Sequence, residues 1–132
     1  MARRCLDDAI DYAQQRETFG KPLIKHQAIR HKIADMSMKI DALDSYLQMI
    51  AWRINEARDA GGPMPAAELA KVKVLGSKTA EFCANEAMQI LGGAGYLRGC
   101  AVERIYREVK VMAIGGGSQE IMRDLAVKQM GL

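Results

Sequence analysis

The chain is poor in aromatic residues, proline and cysteine. Phe, Trp and Tyr make up 5% of its 132 residues, with one Trp and two Phe, and there are three Pro and three Cys. Cys5, Cys83 and Cys100 are odd in number and far apart, which excludes a disulfide framework and a CxxC metal or redox pair. The reduced interior of a cell suits such a set. No apolar run approaches the roughly 20 residues that a membrane-spanning helix needs. The opening Met1-Ala-Arg-Arg leads straight into an amphipathic pattern rather than a signal peptide, so the chain is expected to start inside a structured element. A formal net charge of +3, with basic and acidic residues interspersed, gives no clustered basic face and argues against nucleic acid. His26 and His31 are five apart without nearby ligands in a metal-binding spacing.

What is abundant points to helix. Apolar residues make up 49% of the chain, and Ala, Leu, Met, Lys, Arg and Glu, all strong helix formers, are prominent. The first segment, Ala2 to Gln15, puts Leu6, Ile10 and Ala13 on one face and ends at Gly20-Lys-Pro22. The second runs from His26 to Ala60. There Ile29, Ile33, Met36, Ile40, Leu43, Leu47, Ile50 and Ile54 alternate in steps of four and three. A stripe that long and narrow requires partner helices. The third segment, Pro65 to Leu91, shows Leu69, Val72, Gly76, Thr79, Cys83, Ala87 and Ile90 on one face, with small residues for close approach. Gly92 to Cys100 reads as a loop. A fourth helix, Ala101 to Met112, is predicted to turn Val102, Ile105, Tyr106 and Val109 inward. Ser118 is a good N-cap for a fifth, Gln119 to Gln129, with Ile121, Met122 and Leu125 inward. The fold class is therefore all-α: an up-and-down bundle of four main helices plus a shorter one, a single domain over residues 1–132.

Three stretches could carry chemistry, and each has a plain reading beside a functional one. Gln89-Ile-Leu-Gly-Gly-Ala-Gly-Tyr96 is either a helix cap and loop or a set of bare amides for a pyrophosphate. It is not a dinucleotide fingerprint, because Arg98 occupies the place of the third glycine and a helix precedes it. Gly115-Gly-Gly-Ser-Gln-Glu120 is a linker into an N-cap, or a helix N-terminus that favours an anion or a ligand carbonyl; no Lys follows the glycines, so it is no P-loop. Arg16-Glu-Thr-Phe-Gly-Lys-Pro-Leu is a turn in which Phe19 plugs the bundle and Arg16 is solvated, or one in which Arg16 meets a phosphate. Cys83 reads as a small core filler. Glu120 and Asp124 read as surface charge.

The order of these pieces is more informative than any one of them. Arg16-x-Thr-Phe-Gly-Lys-Pro-Leu, His26-Gln27, Ile33-Ala-Asp-Met36, Gln89-x-Leu-Gly-Gly-x-Gly-Tyr96, Glu103-Arg-x-x-Arg107 and Ile114-x-x-Gly-Ser-x-Glu-Ile121 follow one another in the manner of the C-terminal domain of acyl-CoA dehydrogenases. The resemblance covers essentially all 132 residues. It implies a flavoprotein oxidoreductase of fatty-acid β-oxidation type, a homotetramer built as a dimer of dimers, with FAD lying between this domain, a β-domain and a neighbouring subunit. By position, Arg16 resembles the arginine that reaches the neighbour's FAD pyrophosphate, with Thr18 and Phe19 beside it and Gln27 another flavin contact. Gln89, Ile90, Leu91, Gly92 and Gly93 resemble the backbone stretch against that FAD. Ser118, Gln119 and Glu120 match the flavin-contacting Thr-Ser-Glu, and Gly117 a glycine near the acyl-CoA.

The family reaction is α,β-dehydrogenation of an acyl-CoA thioester, with electrons leaving through an electron-transferring flavoprotein. Many members carry Tyr-Glu-Gly-Thr where this chain has Gly115-Gly-Gly-Ser118, and their glutamate is the base. Here that position is Gly116, which cannot take a proton. The pattern is similar to the isovaleryl and long-chain branch, whose base lies on the helix leading into the first segment, upstream of Met1. No catalytic residue is therefore expected within the chain. The chain is expected to be one domain of a larger enzyme, inactive and weak in FAD retention by itself, and to self-associate through exposed apolar faces. The resemblance places the enzyme in the cytoplasm of a bacterium or the mitochondrial matrix of a eukaryote. A non-catalytic oligomerisation scaffold and an acyl-CoA oxidase domain are the competing readings.

Overall fold

The computed structural model describes residues 1–132. Its elements are α1 (Ala2–Gln15), β1 (Glu17–Thr18), β2 (Lys21–Pro22), a single 3-10 turn (Leu23–Lys25), α2 (Gln27–Asp59), α3 (Ala66–Leu91), α4 (Gly93–Tyr96), α5 (Ala101–Ile114) and α6 (Gln119–Gln129). The all-α bundle is the fold, and the five long helices lie within two residues of their expected limits. Two details differ. The Arg16–His26 turn folds as a minimal antiparallel ladder, Glu17 opposite Pro22 and Thr18 opposite Lys21. The Gly92–Cys100 loop contains one helical turn, α4.

The centre of the bundle is α3. It buries Ala67, Ala70, Val74, Ser77, Thr79, Cys83, Ala84, Ala87, Ile90 and Leu91, more than one face of a helix, because α1, α2, α5 and α6 all pack on it. Small side chains at Ala70, Ala84 and Ala87 let those neighbours approach closely, and close-packed interiors maximise dispersion contacts. Cys5, Leu6, Ala9 and Ala13 of α1, Met36 and Ile40 of α2, and Val102, Ile105 and Val109 of α5 complete the main core.

The α2 stripe is only partly buried: Met36, Ile40 and Ile50 are inside while Leu47 remains 45% exposed. The reason is length. A 33-residue helix reaches about 50 Å, whereas the 14 residues of α1 cover about 21 Å of it. Arg3 pairs with Asp41 and Asp44 at 3.5 and 2.5 Å, which marks where α1 begins along α2. Farther along, Arg53 reaches Glu68 of α3 at 3.0 Å.

The fourth arm of the bundle is made in two pieces. α5 descends along the upper half of α3, with Lys110 at 3.2 Å from Glu81. The glycine turn interrupts it, and α6 continues along the lower half, where Ala126, Val127 and Met130 face Val74 and Leu75. α6 packs chiefly on α3, and its buried contact narrows to Ala126. Ile121 and Leu125, expected inward, are 62% and 37% exposed. Tyr106, expected inward on α5, is likewise exposed, since Val102, Ile105 and Val109 already fill the face toward α3.

Candidate flavin-facing site

The turn after α1 presents its side chains outward. Arg16 leaves the helix in extended geometry, and its carbonyl accepts from the Leu23 amide at 2.7 Å. Phe19 takes a left-handed backbone, φ +52, and is 98% exposed. Of the two readings of this turn, the one in which Phe19 plugs the bundle is thus excluded. A left-handed φ on a side-chain-bearing residue costs about 1–2 kcal/mol, and local bonds hold it. Thr18 Oγ1 and His26 Nε2 lie 3.0 Å apart, and the His26 ring stands edge-on to Phe19 with centroids at 6.2 Å. Arg16 is exposed and has no carboxylate within ion-pair distance. Gln27 opens α2, is exposed, and lies beside an N-cap, His26, that supplies no side-chain bond.

The end of α3 lies at the same end of the bundle. α2 and α3 run antiparallel, and the Lys32–Glu86 ion pair ties the start of one to the end of the other. Gln89 is exposed, while Ile90 and Leu91 point into the core and offer only backbone outward. Gly92 terminates the helix at φ +58, with its amide donating to the Met88 carbonyl at 3.0 Å. A side chain added at Gly92 or Gly93 would meet nothing within 4 Å, so both glycines leave open backbone. Gly95 is different: a Cβ there would stand 2.9 Å from Leu91 Cβ, so its small size serves packing.

Residues Gly115–Glu120 form a separate cluster. The Gly115 amide donates to Val111 at 2.6 Å, after which Gly116 (φ +67) and Gly117 (φ +97) reverse the chain. Ser118 caps α6 by accepting from the Ile121 amide at 3.4 Å. The Glu120 carboxyl is held below its usual range, first by its own backbone amide and then by the Ser118 hydroxyl. The Gln119 side-chain amide turns inward, donating to Ser77 Oγ and Glu81 Oε2 at 3.0 Å each. Gly115 and Gly116 border a groove shared with Met1, Leu43, Gly76 and Ala80. This groove lies at the first residue of α1 and Arg16 follows the last, so the two clusters are about one α1 length, about 21 Å, apart. Lys73, Ser77 and Glu81 hold this loop from α3, and sequence reading missed them. Their only signature is a polar residue every four positions along α3, shared with other polar residues of that helix.

Two of the three free thiols are buried. Burial first, then neighbouring charges, pushes the Cys5 thiol up to about 12. Burial raises Cys83 to about 11. Cys83 is the core filler expected. No cluster of His, Cys, Asp or Glu could hold a metal ion, and no helix is long and apolar enough to cross a membrane.

A family described as acyl-CoA dehydrogenase, C-terminal domain, matches residues 1–131. The chain belongs to the acyl-CoA dehydrogenase family. Its relatives include acyl-CoA dehydrogenase AFT10-1 of Alternaria alternata, 37% identical over 98% of this chain and 31% of that protein. The mitochondrial short-chain specific acyl-CoA dehydrogenase of Bos taurus is also 37% identical, over 93% of this chain and 29% of its own length. Among solved structures, butyryl-CoA dehydrogenase from Megasphaera elsdenii superposes with a TM-score of 0.88 at 34% identity, covering 99% of this chain and 33% of that one. This acyl-CoA dehydrogenase domain therefore spans about a third of the length of such relatives. Both clusters described above fall within the matched residues.

Proposed function

We propose that this domain grips FAD at two places and contributes to the assembly of a homotetrameric acyl-CoA dehydrogenase that oxidises acyl-CoA thioesters to their α,β-unsaturated forms. One observation carries the reading. A strained turn presents Phe19 entirely outward beside an Arg16 that has no carboxylate of its own, at the same end of the bundle as the open backbone of Gly92 and Gly93.

The residues fit the cofactor. A pyrophosphate suits an unpaired guanidinium and bare amides, and a planar ring suits an exposed aromatic face. Arg16, Thr18, Phe19 and Gln27, with the backbone of Gln89–Gly93, would meet the FAD of a neighbouring subunit. Gly117, Ser118 and Glu120, at the far cluster, would meet the acyl-CoA and flavin of their own. Gln119 would act there through backbone, its side chain being spent on Ser77 and Glu81. FAD, when bound, supplies the hydride acceptor. Gly116 offers no base, so the α-proton is taken by a carboxylate elsewhere in the full-length enzyme, facing the groove that Gly116 shares with the start of α1. An electron-transferring flavoprotein takes the electrons onward, in the bacterial cytoplasm or the mitochondrial matrix.

The test is FAD titration of the full-length enzyme, followed by flavin fluorescence. Arg16→Ala weakens FAD binding about ten- to a hundredfold, as expected for a lost charge-assisted bond. Unchanged binding in that variant overturns the reading.

A further inference from the structure

The turn that borders the groove contains three glycines and therefore lacks side chains with which to fix itself. The Gly116 and Gly117 amides make no backbone hydrogen bond, and both residues sit at positive φ. At the same point α5 ends, leaving carbonyls open and the negative end of its dipole exposed, with no basic residue in its own last turn. The missing cation comes from α3. Lys73, half-buried and without any ion pair, donates to the Ala113 carbonyl at 3.5 Å and also to the Gly117 carbonyl. One turn on, Ser77 donates to the Val74 carbonyl at 3.0 Å and accepts from Gln119. Two turns on, Glu81 accepts from both Gln119 and Lys110. From the other side, Met122 Sδ lies 2.7 Å from where a Gly117 Cβ would stand, so the turn is pressed between α6 and α3.

We propose that Lys73 is a positioning residue: its ammonium, backed by Ser77 and Glu81 on the next two turns of α3, sets the backbone of Gly115–Gln119 along the groove. Lys73 itself lines that groove beside Gly115 and Gly116. Its ammonium is bonded to carbonyls rather than to a carboxylate, so what it fixes is the geometry of the turn. Its consequence for catalysis rests on the flavin-facing reading above, but the clamp itself exists without flavin, and the two fail separately.

Hydrogen exchange on the 132-residue chain tests the clamp. In Lys73→Met the stem remains and the donor is lost. Exchange at the Gly115, Ile121 and Met122 amides, which flank the turn, rises about tenfold, the scale of one charge-assisted bond, while Ala9 and Ile40 in the core stay protected. Lys73→Arg, which still donates, keeps those flanking amides within about twofold of the parent. Ser77→Ala, which removes one of the two Gln119 anchors and leaves Glu81, raises Ile121 and Met122 by less than Lys73→Met does and serves as the readout should Lys73→Met not fold. Unchanged exchange in Lys73→Met, an equal rise at Ala9 and Ile40, or an Arg variant as open as the Met variant overturns the proposal. If Lys73→Met does not fold, unchanged exchange in Ser77→Ala does so.

Discussion

Two neighbouring regions, the body of α1 and the turn that follows it, use their side chains in opposite ways. Along α1, Cys5, Leu6, Ala9 and Ala13 are directed inward and pack against α3 with Met36 of α2. Immediately afterwards, Arg16 and Phe19 are directed outward, and Phe19 holds a left-handed backbone to remain there. The first region gains stability from burial and is sensitive to volume. The second gives up stability to offer a charge and a ring, so substitution there should leave folding alone and remove binding. The glycine turn at Gly115–Gly117 also lies at the surface, but it is anchored from α3, as the first region is.

The sharpest way to break this contrast is to cut volume from the packed region. Met36→Ala, at a wholly buried position, should cost about 2–5 kcal/mol, read as a drop in the denaturation midpoint at unchanged slope. The matched test on the offered turn is Arg16→Ala and Phe19→Ser in the same chain. Both should unfold within about 0.5 kcal/mol of the parent, and a loss comparable to Met36→Ala would erase the distinction. The anchored turn should lie between them. Gly116→Ala has room for its methyl but sits at φ +67, so thermal denaturation should show a loss of about 1–2 kcal/mol. Gly117→Ala should lose more, because its Cβ meets Met122 Sδ at 2.7 Å.

The smallest effect near neutrality concerns the thiols. Cys5 and Cys83 carry folded pKa values raised to about 12 and about 11 from 9.0. Their neutral forms therefore support folding fully below about pH 9, and that support is lost as pH rises toward 11–12. Urea melts should be flat between pH 7 and pH 8.5 and weaken above it, with no weakening up to pH 11 counting against burial as the cause. Native labelling at pH 8 should modify half-exposed Cys100 ahead of both buried thiols.

Much of this was readable from the chain alone. The Gly92 helix stop, the Ser118 cap and the break at Gly20-Lys-Pro22 are local events, governed by backbone freedom and by one side chain meeting one amide. Motif order likewise led to the family without reference to any contact. Tyr106, Ile121 and Leu125 were misplaced because an apolar residue at helical spacing is buried only if another helix lies opposite. Gln119 matched a flavin-contacting position of the family, and the engagement of its side chain by α3 was invisible because Ser77 and Glu81 lie 42 and 38 residues away. Lys73 was passed over for the same reason, being 44 residues from the carbonyl it holds.

By itself, then, the sequence determined where helices begin and end and that they form one α-bundle, since propensity, capping and residue identity are properties of short stretches of chain. Only the tertiary structure decided that Phe19 faces solvent, that the α2 stripe is half covered, that the Arg16 and Gly116 clusters lie apart, and that Lys73 fastens the glycine turn. Each of these depends on which surfaces meet across dozens of residues, and burial, charge pairing and packing are fixed only when they do.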